Sequence, residues 1–199
     1  MPYQNRVDPF GAIFRSPARG NLMGNRGGAI HNEKREIIRK FKGRRWIACL
    51  LEFKNIKRTV MSPGLYTELF FLDEATAFAA GHRPCAECRR ERFNAFRQAW
   101  NSTRRVLAPE IDAELHRARI DERGGKVTWQ APLDSLPDGT FVEIGGSARL
   151  VRDGALLLWS PEGYTNPEPP SVPAMVTVLT PQPLVECFCR GYRPGIAVK

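Results

Sequence analysis

The chain has no apolar run close to the roughly 18 residues that a membrane span needs. Its opening stretch, MPYQNRVDPFGAIFRSPARG, also lacks the apolar core of a secretory signal. Both absences point to a cytoplasmic protein without a membrane partner. Histidine is scarce at three residues, and cysteine is odd in number at five. In a compartment that keeps thiols reduced, five cysteines argue against a disulfide framework and for metal binding or inert burial. There is no P-loop, no G-x-G-x-x-G and no Ser-His-Asp order, so the common catalytic signatures are missing. Low complexity is confined to NPEPPSVP, and no internal repeat stands in the chain.

Carboxylates are short in one half only. Residues 1–105 hold 21 Lys and Arg against 9 Asp and Glu, a net of +12, whereas residues 106–199 hold 9 against 12, a net of −3. A basic half suggests a polyanion partner, most often nucleic acid, and a solvated basic face that aids solubility explains the charge equally well.

At 199 residues and 42% hydrophobic, the chain is long enough to bury a core. Residues 1–22 carry Pro, Gly and Arg without periodicity, which predicts an extended basic arm that orders on a partner. From Gly27 the runs GAIH, EIIRKF, RRWIACLLEF, KRTVM and YTELFFL, broken by turn residues, read as the strands of a small antiparallel meander. DEATAFAAG reads as a short helix with Asp73 as N-cap and Gly81 as stop. RRERFNAFRQAW is amphipathic, with Phe93, Phe96 and Trp100 on one face. PEIDAELHRARI is a further helix with Ile111, Leu115 and Ile120 inward. The last third, with KVTWQ, DGTFVEI, ARLVRDGALLLWSP and AMVTVLTP, reads as strands with Asp-Gly as a hairpin turn, closed by a short helix in PLVECFCRG.

The most specific signal is HRPCAECRR. Two thiolates in C-x2-C, Cys85 and Cys88, can bind one tetrahedral zinc at about 2.3 Å, and the helix N-terminus that follows stabilises them. A redox role for the pair needs a βαβ context that the preceding helix does not provide. One C-x2-C supplies half a structural site, and the remaining donors come from His31, Cys49, His82, His116, Cys187 and Cys189. If PLVECFCRG is helical, Cys187 and Cys189 face different ways, which fits burial in the core better than shared ligation.

The stretch FFLDEATAFAAGHRPCAEC resembles the second ligand segment of the zinc-binding N-terminal module of Ada-type DNA-alkylation repair proteins, a short Ala-rich helix followed by an Arg-Pro-Cys-x-x-Cys knuckle. A related pattern in zinc modules appended to some nucleases is similar to GNRGGAIH followed by the knuckle. The resemblance covers roughly residues 23–100 and is sharp over 70–88. It implies a zinc ion held by Cys85 and Cys88. The first cysteine pair of the alkylation-repair module has no counterpart here, so the resemblance carries no alkyl-transfer chemistry. In its place His31 and Cys49 stand as the other two ligands, against the alternatives that Cys49 is a core residue of its strand and His31 a surface residue.

For nucleic acid, the basic residues interleaved with aromatics between Lys34 and Arg58 and the arginines after the knuckle give Arg44, Arg45, Lys57, Arg58, Arg89 and Arg90 as candidate phosphate contacts. A solvated polar face is the alternative for each. For catalysis a loose set remains: Glu68 on an otherwise apolar strand face, His82, Glu114, and Asp112 with His116 at i, i+4 on one helix. An ion pair accounts for Glu68 as readily, and a surface pair accounts for Asp112 and His116.

The fold class expected is therefore α+β: an extended arm over 1–22, a zinc-stapled antiparallel meander with helices over 23–105, a helical connector over 106–124, and a β-rich unit over 125–199. The expected function is nucleic-acid binding, DNA first, through the basic half with structural Zn2+. A metal-dependent hydrolase of nuclease type is the alternative, and the β-rich unit is a possible surface for a protein partner.

Overall fold

The computed structural model describes residues 1–55, 59–165 and 175–197, and it has the α+β architecture. The first sheet holds β1 (Gln4–Val7), β2 (Ile13–Arg15), β3 (Leu22–Arg26), β4 (Trp46–Cys49), β5 (Leu69–Phe71) and β6 (Arg83–Pro84), in the order β2-β1-β5-β3-β4-β6. The second holds β7 (Trp129–Pro132), β8 (Phe141–Ile144), β9 (Ser147–Arg152), β10 (Ala155–Ser160), β11 (Gly163–Tyr164) and β12 (Met175–Val178), in the order β11-β10-β9-β8-β12-β7. Among the described residues four α-helices accompany them: α1 (Glu74–Ala79), α2 (Arg90–Trp100), α3 (Ala108–Arg119) and α4 (Gln182–Cys189). Among the described residues no helix is long and apolar enough to cross a membrane.

The opening segment differs from the extended arm expected of it. β1 and β2 form a hairpin around Asp8, whose carboxylate accepts from the Ala12 N–H at 2.8 Å, and β1 runs parallel to β5. Gln-Asn-Arg-Val carries one apolar residue, Val7, which is buried with Leu22, Leu69 and Phe71. Polar residues on an added strand leave little hydropathy signal, and the pairing partner lies some sixty residues away. The strand expected at GAIH reduces to a single bridge between His31 and Ile37, while LMGNR, just before it, forms β3. The antiparallel pairs β3–β4 and β3–β5 make the centre of the sheet. Gly24 in β3 is required by close approach, since a Cβ there would meet the Ile47 carbonyl oxygen at 2.2 Å. The expected strand KRTVM begins at Lys57 and Arg58, which lie outside the described residues.

Helix α1 explains how the two halves share one interior. All six of its residues are buried. Phe78 faces α2, α3 and α4 and packs with Phe96, Leu115 and Phe188. Ala77 and Ala80 face the first sheet, and Ala75 and Ala79 face Phe141, Leu150 and Leu157 of the second. Alanine on two faces lets both sheets approach one helix. Asp73 caps the helix by accepting from Thr76 N–H at 2.8 Å, as its sequence position predicts, and its other oxygen accepts from Tyr164 Oη at 2.7 Å. In the second sheet Asp153 and Gly154, both at positive φ, make the expected β9–β10 hairpin turn.

Candidate metal centre

The knuckle is placed by main-chain pairing before any side chain acts. β6 lies parallel to β4, with Ile47 opposite Arg83 and Ala48 opposite Pro84, and the Cys85 N–H donates to the Ala48 carbonyl at 2.9 Å. The chain then turns, the Arg89 N–H closes onto the Cys85 carbonyl at 3.2 Å, and α2 begins. This brings Cys85 and Cys88 against the end of β4, where Cys49 sits. The three sulfurs lie within 4.8 Å of one another, the one group of three metal-ligating side chains found among the described residues.

The immediate surroundings favour thiolate at Cys85. The Glu87 N–H points at Cys85 Sγ at 3.4 Å, and the Cys88 N–H also donates to it. The Leu50 N–H donates to Cys88 Sγ. Hydrogen bonds to the charged form stabilise it. The Cys49 thiol hydrogen bond, with these N–H groups, draws Cys85 down to about 5. Cys49 moves the other way, pushed up by its hydrogen bond to Cys85 and by burial, and burial raises Cys88. In a tetrahedral thiolate site with bonds of about 2.3 Å the sulfurs stand about 3.8 Å apart, so three sulfurs already this close need only a small inward shift to share one ion.

A buried fork holds the knuckle from behind. Arg83 donates from Nε to Asp112 Oδ1 and from Nη2 to Asp112 Oδ2, each at 2.8 Å, and from Nη1 to the Pro84 carbonyl at 3.0 Å. Both side chains are buried. Asp112, on α3, therefore fixes the strand that delivers Cys85, a positioning role rather than the catalytic one considered from its i, i+4 spacing to His116.

The other expected site residues are distributed differently. His31 is not brought to the cluster. Its Nε2 lies 3.2 Å from the Ser62 carbonyl and donates to it, which leaves Nδ1 to accept from Thr67 Oγ1 at 2.6 Å. Among the described residues Glu68 forms no ion pair with an arginine, and its carboxylate accepts from the N–H of Met61, a buried residue at φ 54°. His82 is fully buried against Trp46 and Phe71, and burial and the charges of Arg26 and Arg119 hold it well below the ordinary imidazole range. His116 lies beside Phe41 and Arg119, away from Asp112's partner, and Glu114 is exposed.

Among the basic candidates, Arg44, Arg45 and Arg90 are exposed. Arg89 is committed instead to buried Glu74 at 2.8 Å, a carboxylate that also binds Arg92, Tyr192 Oη and the Gly195 N–H. Lys57 and Arg58 lie outside the described residues. Of the last two cysteines, Cys187 is core, and Cys189, expected to be core as well, is exposed on the opposite face of α4.

The sequence reading missed three cations. Arg26 and Arg119 are almost fully buried, and Lys126 is half-buried near them. A signal for Arg119 existed: it follows Ile111 and Leu115 at four-residue steps, so it falls on the apolar face of α3. No family model matches the chain, and neither a curated protein nor a solved structure does.

Proposed function

We propose that Cys49, Cys85 and Cys88 hold a zinc ion whose role is structural, and that the basic half it organises contacts nucleic acid, with DNA as the leading partner. The observation that carries the zinc reading is the convergence of three sulfurs from β4 and a C-x2-C turn, with backbone N–H groups already directed at two of them. Soft thiolate donors select zinc over hard cations such as magnesium or calcium, and zinc stabilises charge on all three sulfurs at once. The resemblance of residues 70–88 to Ada-type zinc modules supports the same ion at the same two positions.

A structural role is favoured over the hydrolase alternative because three of the acidic and imidazole candidates, Asp112, Glu68 and His82, are engaged or enclosed elsewhere. Asp112 is spent on Arg83, and Glu68 on the Met61 N–H. His82 is walled in by Trp46 and Phe71. The nucleic-acid reading rests on Arg44 and Arg45, exposed just ahead of β4, and on Arg90, exposed just after the knuckle. One clamped ion would fix these two basic edges relative to each other. Phosphate contacts of this kind give affinity that falls steeply with salt.

Two measurements test the proposal separately. Thermal melting with and without a strong chelator reads the metal, and a midpoint unchanged by chelation would sink the structural ion. Fluorescence anisotropy of labelled duplex DNA, titrated at several salt concentrations, reads the partner. Arg44→Ala with Arg45→Ala is expected to lower the salt slope by about one per lost contact, and association that is absent or insensitive to salt would remove nucleic acid as the partner.

A further inference from the structure

A cavity of about 280 Å³ opens between the β1–β2 turn, the start of β4 and the segment that follows α3, and Arg26, Lys40, Trp46, Arg119 and Lys126 contribute to its lining. Four of these five side chains are cations. Elsewhere in this half the buried arginines are matched to carboxylates: Arg83 to Asp112 and Arg89 to Glu74. Around the cavity that rule breaks. Arg26 donates to the Gly11 carbonyl at 3.0 Å and weakly to His82 Nε2 at 3.5 Å. Arg119 donates to the Gly81 and Arg44 carbonyls at 2.7 and 2.5 Å. Lys126 donates to the Ala79 carbonyl at 2.6 Å, and Lys40 to the Gly124 carbonyl at 2.9 Å. Every acceptor is neutral, and among the described residues no carboxylate forms an ion pair with any of the four.

The remaining counter-charge is small. Asp8 is the one carboxylate whose field reaches both Arg26 and Lys126, and its oxygen is taken by the Ala12 N–H. Asp112 acts on Arg119 from a distance while bound to Arg83. Arg119 Nε is buried and has no hydrogen-bond partner among the described residues, and a buried donor in that state carries its full desolvation cost. Both guanidinium groups lie over the Trp46 ring, at 4.3 and 4.2 Å from its centroid. That contact orients the groups but supplies no negative charge. Crowding also shows in Lys126, which burial and the charge of Arg26 push down to about 7. Buried charge is ordinarily paired, and a protein that pairs it in two neighbouring places leaves a surplus of positive charge in this one.

We propose that this cavity is a binding site for a phosphate dianion, either inorganic phosphate or the phosphate group of a small phosphomonoester. A tetrahedral dianion matches the surplus of charge, and guanidinium groups present N–H donors in the geometry that phosphate oxygens accept. The volume exceeds that of phosphate alone, so the lining at Phe10 and Ile120 offers apolar surface to the remainder of an ester. The site shares no residue with the cysteine cluster. Trp46 and Cys49 stand at the two ends of β4, roughly 10 Å apart at the ordinary rise per residue.

The test is calorimetric titration of the full chain with sodium phosphate and, in a second arm, with adenosine monophosphate, ionic strength being held constant with sodium chloride. Saturable binding of one phosphate per chain is expected. Lys40→Ala, a change at an exposed position, should weaken it several-fold, and Lys126→Met, which keeps the apolar stem, about tenfold, the size of one charge-assisted hydrogen bond. Melting of both variants without ligand confirms that they fold. Equal affinity for both ligands identifies the free oxyanion as sufficient, and tighter binding of the monophosphate identifies an ester. Absence of saturable binding in the wild type, or binding that neither lysine variant weakens, overturns the proposal. The outcome is independent of zinc content and of duplex association, which depend on other residues.

Discussion

The two sheets are built on different chemistry. Among the described residues thirteen of the fifteen buried polar or charged ones precede residue 120, and the second sheet region holds the other two, Thr140 and Thr180. The second sheet is an apolar layer buried on both faces, with Val142, Val151, Leu156, Val176 and Val178 in one cluster and Phe141, Leu150 and Leu157 in another. The first half adds to its own apolar clusters a set of buried ion pairs, capped backbone groups and a sulfur cluster. Buried polar groups are costly unless satisfied and rarely improve stability over an apolar core. Their concentration in one half therefore locates the chemistry there and leaves the other half as a scaffold against which α1 is pinned.

That contrast can be broken by single substitutions. The largest losses are expected from removing one partner of a buried pair. Asp112→Ala strands Arg83, and Glu74→Ala strands Arg89, so each should cost about 3–5 kcal/mol in denaturant unfolding. Asp112→Ala should in addition weaken metal retention, because Arg83 stands two residues before Cys85. A cost below 1 kcal/mol for both would mean that the pairs contribute little. Leu150→Ala in the second sheet should cost about 2–5 kcal/mol through its cavity, with metal content unchanged.

Acid should separate the halves further. His82 is held neutral by burial and by Arg26 and Arg119, and His116 is lowered in the same direction by partial burial. The unfolded chain therefore takes up protons first as pH falls through about 6.5, the ordinary imidazole value, and stability declines from there downward. In thermal melts from pH 8 to 5, His82→Phe should flatten that decline, and Leu150→Ala should leave its slope as in the wild type. The smallest effect is expected at the surface: Arg44→Ala and Arg45→Ala should each change stability by less than about 0.5 kcal/mol, while the pair of changes still weakens nucleic-acid association.

How much of this was legible in the sequence follows the same division. The second sheet announces itself through short strand-like runs, the Asp-Gly turn and the closing helix, because these signals are local in the chain. The caps and faces of α1 and α2 were equally legible, from Asp73, Gly81 and the spacing of Phe93, Phe96 and Trp100. The knuckle was readable because its spacing is local. Its convergence with Cys49 was readable only as one option among several, since β4–β6 pairing spans more than thirty residues. His31 looked equivalent to Cys49 in sequence, and the Thr67 hydroxyl and Ser62 carbonyl that claim its two nitrogens lie more than thirty residues further on. β1 escaped notice for the opposite reason: its polar residues satisfy a sheet without adding hydrophobicity. The cations around the cavity come from three separated segments, and only Arg119 betrays itself by sitting on an apolar helical face.

The proposed zinc ion would join β4 to the turn before α2. X-ray absorption at the zinc edge on the purified full chain tests it most directly. One zinc per chain with three sulfur donors at about 2.3 Å, lost together in Cys85→Ser, is the result expected. A chain that carries no zinc, or zinc coordinated only by nitrogen and oxygen, would contradict it.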